Sequence, residues 1–509
     1  MALRRCVTGD PRLLCGALCL LLSVALPSSA AVILVPDHHS SISTALAAAT
    51  PGDEVHVSDA GSPYEEQIFL VDGVVLRGGY DATFTSFDPS SHETVIQLPD
   101  STTGSVVEAG TAGAATRLEG FTITGGDTVL GGGIFCGTGT ALEISLCIVR
   151  DNYASQNGGG IQISGSAARV TQCTIQDNIA GLRGGGISVA IDSEDAVVSD
   201  CSILSNSADP SAASTISGGG GFFSRSAILF ERNLVDGNFS GRHGGGIMLM
   251  DTGLAGWWNE ITANQATENG GGIYLDGGTS VHQHCILDGN TAGINGGGLA
   301  STDGSNRFLN GSILNNTATG DGGGIHLAYS MADEVRGTDI AGNSAANGGG
   351  LLLEGPSTGS FAFYSVEDNS FSANTTVGTG GGIHVTGQSI GTIRNNIIAG
   401  TLAGAGFSCG GASANPVFHY NDVYNDPANP DDGYGGTCED RTGIAGNIRA
   451  DPEYCDASAL PADLALAASS PCLGAGLDGS DMGAHDAADA CGTTSLAPAS
   501  WGRVKALYR

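Results

Sequence analysis

Ten times along the chain three glycines precede a large apolar residue, at Ile134, Ile161, Ile187, Phe222, Ile247, Ile273, Leu299, Ile325, Leu351 and Ile383. From Phe222 to Leu351 the steps are 25, 26, 26, 26 and 26 residues. Two positions beyond most anchors stands a second small or apolar residue (Cys136, Ile163, Val189, Leu249, Leu275, Leu327, Leu353, Val385), with Ser224 and Ser301 as exceptions. Each stretch therefore alternates as a half-buried strand does. The residues in between, Phe135, Gln162, Ser188, Phe223, Met248, Tyr274, Ala300, His326, Leu352 and His384, are assigned to an outward column.

A second mark lies nine residues before the anchors: Asn152, Asn178, Asn238, Asn264, Asn290, Asn316 and Asn374. Asparagine tolerates left-handed backbone and bonds its own turn, so it suits a tight corner, and stacked coils would form a ladder of amides. Three residues earlier come Val149, Ile175, Val235, Ile261, Leu287, Ile313 and Phe371, an inward column. Helical-hairpin repeats need about 33 to 45 residues, whereas a period of 26 fits one β-coil. Flexible glycine linkers would not keep such a beat with interleaved aliphatics. The pattern predicts an all-β solenoid of stacked coils, each strand bonded to the coil before and after it. Ten coils span roughly 45 Å.

Four cysteines join the register. Cys147, Cys173, Cys201 and Cys285 each stand five residues before a corner asparagine, Asn206 in the third case. Neighbours in this column are either disulfide-bonded or packed as core thiols; the spacing does not suit zinc.

A stack of parallel coils leaves two open ends that need covering. Residues 32–36 and 54–57 read as strands, and residues 41–49 (SISTALAAA) as a short helix that seals the first coil. The repeat fades after Ile383. Residues 405–492 are rich in Asp, Pro, Gly and Cys and carry five of the ten cysteines that follow residue 30: Cys409, Cys438, Cys455, Cys472 and Cys491. These predict an irregular, partly disulfide-bonded C-terminal cap. Two coils carry extra residues, with steps of 35 from Ile187 to Phe222, the bulge placed at 207–217, and of 32 from Leu351 to Ile383. In solenoids such insertions map to loops on one face, often a binding face.

Residues 1–30 read as a secretory signal: Arg4, Arg5 and Arg12 precede the apolar stretch 13–26, and Ser28-Ser29-Ala30 supplies small residues for cleavage. No later segment is long and apolar enough for a membrane helix. The chain thus divides into a signal peptide (1–30), an N-terminal cap with first coils (31–115), β-helix repeats (116–404), C-terminal coils and cap (405–492), and a tail (493–509) read as either a sorting tag or an unstructured end. The expected location is secreted or at the cell surface.

The composition narrows the partners. With 19 Lys plus Arg against 52 Asp plus Glu the formal net charge is -33, which disfavours nucleic acid and anionic lipid. The sparse charges serve first to keep a repetitive surface soluble.

The Gly-Gly-Gly-Ile beat with apolar-x-x-Asn between (Phe371-Ser-Ala-Asn374) resembles the pectin-lyase-like right-handed β-helix superfamily. It is similar also to the repeats of chlamydial polymorphic outer membrane proteins. The opening Val35-Pro-Asp37, Ile42, Ala45-Leu46, Gly52-Asp53, Tyr64-Glu65 and Leu76-Arg-Gly-Gly-Tyr80 resembles the first coils of secreted bacterial β-helix proteins. The close, His419-Tyr-Asn-Asp422, Gly446-Asn-Ile448, Ala450-Asp-Pro452, Ser470-Pro-Cys472, Gly476 and Asp481-Met-Gly-Ala484, resembles bacterial surface proteins with a choice-of-anchor domain. The resemblance implies a single-stranded right-handed parallel β-helix and export, and leaves activity open. Only residues 493–509 follow the cap, so the membrane barrel of the polymorphic proteins is not expected.

Enzymes of this superfamily that act on acidic polysaccharides need calcium-binding carboxylates with an Arg or Lys base, or paired Asp near Gly-His-Gly. Neither pattern is present. The scattered candidates Arg183, Arg225, Arg242, His243, His282, His284, His326 and His384 form no convergent set in the sequence. Phe223, Met248, Trp257, Trp258 and Tyr274 are the candidate ligand-binding residues, a stacking surface for sugar or protein whose structural alternative is packing beneath a loop. Asp426, Asp431 and Asp432, or Asp478 and Asp481, could hold structural calcium, though neither set has a recognised calcium-loop spacing. No catalytic residue, metal ligand or cofactor is assigned. The expectation is a monomeric, non-catalytic surface or secreted protein for adhesion or for carbohydrate or protein binding. The alternative is a polysaccharide lyase or glycoside hydrolase with a diverged site.

Overall fold

The computed structural model describes residues 30–211, 217–357, 361–411, 416–424, 433–456 and 463–485. The signal peptide, the tail, Cys491, Asp426, Asp431 and Asp432 lie outside the described residues. One coil shows how the pattern becomes structure. Ile247–Met250 lies in sheet I, Gly253–Trp257 in sheet II, Glu260–Thr262 in sheet III and Gln265–Ala266 in sheet IV, and Gly270, Gly271 and Gly272 then lead into sheet I of the next coil. Every strand pairs in parallel with its counterpart one coil away, Ile247 with Ile273 and Ile261 with Leu287. Sheet I has 14 strands, sheet II 15, sheet III 14 and sheet IV 10. The fold is a right-handed parallel β-solenoid of about 15 turns.

Sheets I, II and III enclose a continuous aliphatic core, to which Ile247, Leu249, Ile261, Ile273 and Leu275 belong. Sheet IV stands outside it as a thin fin, lined by small residues such as Ala292, Ala318 and Ala345. The corner between sheets III and IV carries the predicted asparagine ladder. Asn264 donates from its backbone N–H and from Nδ2 to Asn290 Oδ1, and Asn290 repeats both bonds to Asn316. Asn206 and Asn343 complete the column.

The glycines make the fin thin. Gly270 has φ of +67°, the left-handed region. A Cβ on Gly272 would lie 2.6 Å from the Gly298 carbonyl oxygen and 3.1 Å from the Asn290 amide carbon, so no side chain fits where the returning strand crosses the ladder.

Two corrections to the sequence register follow. Gly221 pairs with Ile187 and with Ile247, so the fourth glycine of the run, not Phe222, occupies the anchor position. Phe222 therefore faces outward, and Phe223, expected outward, points into the core against Phe230 at 5.4 Å between ring centroids. The insertions also fall at two corners rather than on one face. The longer steps separate Ser207–Ala208 of sheet IV from Gly221–Ser224 of sheet I, and Leu351–Glu354 of sheet I from Ala362–Glu367 of sheet II; residues 212–216 and 358–360 within them lie outside the described residues. Both corners border sheet I.

The ends hold as follows. The helix Ile42–Ala48, capped by the Ser41 hydroxyl, buries Ile42, Ala45 and Leu46 over the first coils, and Glu66 accepts the N–H groups of Ile42 and Ser43. At the C-terminal end Cys409 and Cys438 form a disulfide, and Cys455 is also disulfide-bonded. Cys147, Cys173, Cys201 and Cys285 are free and buried. The last segment lies alongside sheet III: Leu466, Cys472 and Met482 pack with Ile397 and Ala399, and the His485 ring meets Asp339 at 2.9 Å.

Candidate functional site

The outward column of sheet I reads Phe222, Met248, Tyr274, Ala300, His326, Leu352, His384 and Ser408. These side chains face away from the core, yet most are buried, Met248 at 0% and Leu352 at 1% exposure. The loops between sheets IV and I overhang them and form a rim of Arg183, His243, Asn269, Asn295, Asp321, Asn347 and Thr379. Hydrogen bonds run along this rim. Asn269 N donates to His243 Nδ1 (3.4 Å), Asn295 N to Asn269 Oδ1 (3.1 Å), Asp321 N to Asn295 Oδ1 (2.9 Å), Asn347 Nδ2 to Asp321 Oδ1 (2.8 Å) and Thr379 N to Asn347 Oδ1 (3.2 Å).

On this rim Arg242 and His243, scattered candidates in the sequence, converge with Glu268 and Tyr274. Arg242 Nη1 lies 2.5 Å from Glu268 Oε1, and His243 Nε2 lies 3.5 Å from Glu268 Oε2. The His243 ring stacks on Tyr274 with centroids 4.5 Å apart and planes 20° apart. Because Nδ1 accepts the Asn269 N–H, the ring proton sits on Nε2, toward the carboxylate. Burial chiefly lowers the His243 pKa, with the Arg242 charge adding and Glu268 opposing, and burial raises that of Tyr274. A neutral imidazole, a fixed carboxylate, a guanidinium and a phenol therefore share one patch.

Arg183 lies two coils away on the same rim. Its guanidinium carbon sits 5.2 Å from the centroid of the Phe222 ring, and burial lowers its pKa. Its Nε is buried without a hydrogen-bond partner, and among the described residues it has no ion pair.

Along the opposite edge of sheet I the Asp276 carboxyl is raised by burial and by the nearby charges of Asp251 and Asp303. Further on, Glu354 accepts from Tyr329 at 2.9 Å and meets His326 Nε2 at 3.1 Å. The described residues contain no group of three or more His, Cys, Asp and Glu placed to hold a metal ion. Asp481 is engaged within its own loop, accepting from Gly474 N at 2.7 Å.

The structure separates the five sequence candidates. Phe223 belongs to the core, and Met248 and Tyr274 belong to the outward column of sheet I. Trp257 and Trp258 stand at the far end of sheet II, where Trp258 stacks on His284 at 4.2 Å. Arg225 is exposed at the corner between sheets I and II, and His282 is buried within sheet II. Sequence reasoning missed the shared signal of the rim: Arg183, His243, Asn269, Asn295, Asp321, Asn347 and Thr379 each immediately precede the first glycine of a triplet.

A family model described as "Right handed beta helix region" matches residues 73–310 and 256–447. Among solved structures, the chain is similar to a periplasmic alginate epimerase variant at 11% identity, over 77% of this chain and 84% of that one, with a TM-score of 0.42. A pectate lyase matches at 11% identity over 90% and 97% of the two chains, with a TM-score of 0.33. The A-module of a mannuronan C-5 epimerase from Azotobacter vinelandii matches at 12% identity over 81% and 93%, with a TM-score of 0.25. No curated protein matches the chain.

Proposed function

Because the chain belongs to the right-handed β-helix family, whose fold leaves activity to individual sites, we propose that it is an exported, non-catalytic protein that binds an acidic polysaccharide along sheet I. The observation that carries this reading is Arg183. A guanidinium held over an aromatic ring, partly desolvated and without an acidic partner among the described residues, is an incomplete ion pair in a chain of net charge -33. A carboxylate or sulfate on a sugar completes it bidentately. The rim amides and hydroxyls supply the donors and acceptors that sugar hydroxyls need.

The test is binding of the purified chain from residue 31 to heparin and hyaluronate, with dextran as the neutral control. Arg183→Ala is expected to weaken acidic-glycan binding about tenfold, equivalent to about 1.4 kcal/mol. Equal affinity of the variant and the native chain would overturn the reading.

The convergence of Arg242, His243, Glu268 and Tyr274 favours a second reading, a polysaccharide lyase or glycoside hydrolase. A neutral imidazole beside a carboxylate and a phenol is suited to moving protons at a sugar ring. Turnover of acidic or neutral glycans that is lost in His243→Ala would establish the enzyme and sink the non-catalytic reading.

A further inference from the structure

Sheet IV ends at Thr375–Thr376, but sheet I continues through Ile383–Thr386, Phe407–Gly410 and Tyr434–Gly436. Beyond Thr375–Thr376 the fin is reduced, among the described residues, to a single bridge between Thr375 and Ala403. The outward column also changes there, passing from His384 to Ser408 and then to Gly435, where a Cβ would lie 2.6 Å from the Ala405 methyl. Beside these strands lies a cavity of about 610 Å³ lined by Thr379, Ala405, Ser408, Tyr434, Asp440 and Arg449, among others.

Its polar groups are held in place from outside. Arg449 Nη2 lies 2.8 Å from Asp440 Oδ2, and its guanidinium carbon is 5.8 Å from the Tyr434 ring centroid. Asp440 is fixed in turn by Thr442, which donates from its backbone N–H at 2.9 Å and its hydroxyl at 2.6 Å. The Ser408 hydroxyl lies 2.6 Å from His384 Nδ1, and Thr379 Oγ1 lies 3.1 Å from Asn347 Oδ1. The buried Tyr434 hydroxyl has no hydrogen-bond partner among the described residues.

We propose that this cavity binds a neutral saccharide, one the size of a disaccharide. The charges of Arg449 and Asp440 cancel within the site, so a charged ligand has no unpaired opposite charge to meet. What remains is a guanidinium that donates, a carboxylate that accepts, and hydroxyls of Ser408 and Thr379 that do both. Vicinal sugar hydroxyls need that mixture, and the volume lies in the range of small-molecule sites. The site uses none of the groups around Arg183 and does not depend on the acidic-glycan reading.

The experiment is calorimetric titration of the full chain from residue 31 with cellobiose, maltose, lactose and N,N′-diacetylchitobiose, and with glucuronate as a charged probe. At least one neutral disaccharide is expected to bind. Arg449→Gln and Asp440→Asn should each weaken it about tenfold, Ala405→Trp should abolish it by filling the space, and Arg183→Ala should leave it unchanged. Circular dichroism identifies any variant that fails to fold, and the two polar variants decide the matter if Ala405→Trp does. No binding of any neutral disaccharide at about 10 mM, tighter binding of glucuronate, or undiminished binding in Arg449→Gln would overturn the proposal.

Discussion

Asn290 serves three coils at once. Its Oδ1 accepts from the backbone N–H and Nδ2 of Asn264, while its own Nδ2 donates to the Ile261 carbonyl and to Asn316. Removing the amide strands buried donors and acceptors on both neighbours, each costing about 1–3 kcal/mol. Asn290→Ala is therefore expected to be several-fold more costly in urea unfolding than an exposed Asn→Ala change, with faster amide exchange in the flanking coils. Asp333 carries a different signal. Its carboxyl is buried, Oδ2 has no hydrogen-bond partner, and burial raises its pKa to about 6. The folded state holds this proton more tightly than the unfolded chain, so stability falls as pH rises from about 4 through 6. His282, near the same small cavity, is lowered by burial to about 4 and acts in the opposite sense, losing stability as pH falls from 6.5 through 4. Asp333→Asn should raise the urea midpoint at pH 7, reflecting a gain in unfolding free energy on the order of 2 kcal/mol, and should steepen the loss of stability between pH 6.5 and 4. Equal midpoints for the two chains at pH 7 would show that the ionised carboxylate is not penalised.

The strand elements were legible where side chains repeat and illegible where one glycine replaced an anchor. The step of 25 residues from Phe222 was the visible irregularity, and shifting the anchor to Gly221 restores 26. That shift exchanges the faces of Phe222 and Phe223, as any one-residue slip in a strand must. The offset of five residues that found the cysteine column also contains Asn233, Asn259 and Asn369, each five before a ladder asparagine. Together with Asn396, Asn421 and Asn447 they extend a second amide column: Asn233 Oδ1 accepts from Cys201 N, and Asn369, Asn396 and Asn421 each donate to the next. Which member of each glycine triplet needs space and which needs positive φ was not legible in the sequence. Gly272→Ala is expected to destabilise the fold by more than about 3 kcal/mol, since its Cβ would meet the Gly298 carbonyl. Gly139→Ala, at φ +81° in open space, should cost only about 1–2 kcal/mol of backbone strain. Similar unfolding midpoints for the two variants would refute the crossing geometry.

At the scale of the whole molecule, stacking about 15 coils at ~4.8 Å makes a body on the order of 70 Å long. Its architecture was readable because neighbouring coils repeat one solution to the same burial problem. The site was not, because it belongs to no single coil. Arg242 and Glu268 are 26 residues apart, and nothing local in the sequence marks one as the other's partner. The same stacking determines how the molecule yields to tension. Pulled from both termini, it should peel from its exposed ends, each coil releasing about 26 residues, or roughly 90 Å of chain. The Cys409–Cys438 crosslink interrupts that process from the C-terminal side, because force reaching one sulfur passes directly to the other and shields the 29-residue span between them. Single-molecule stretching should show an extra extension of about 100 Å once both cysteines are replaced by serine. The free thiols of Cys147, Cys173 and Cys201 set no such lock, so unravelling that begins at the amino end meets no covalent stop in those coils.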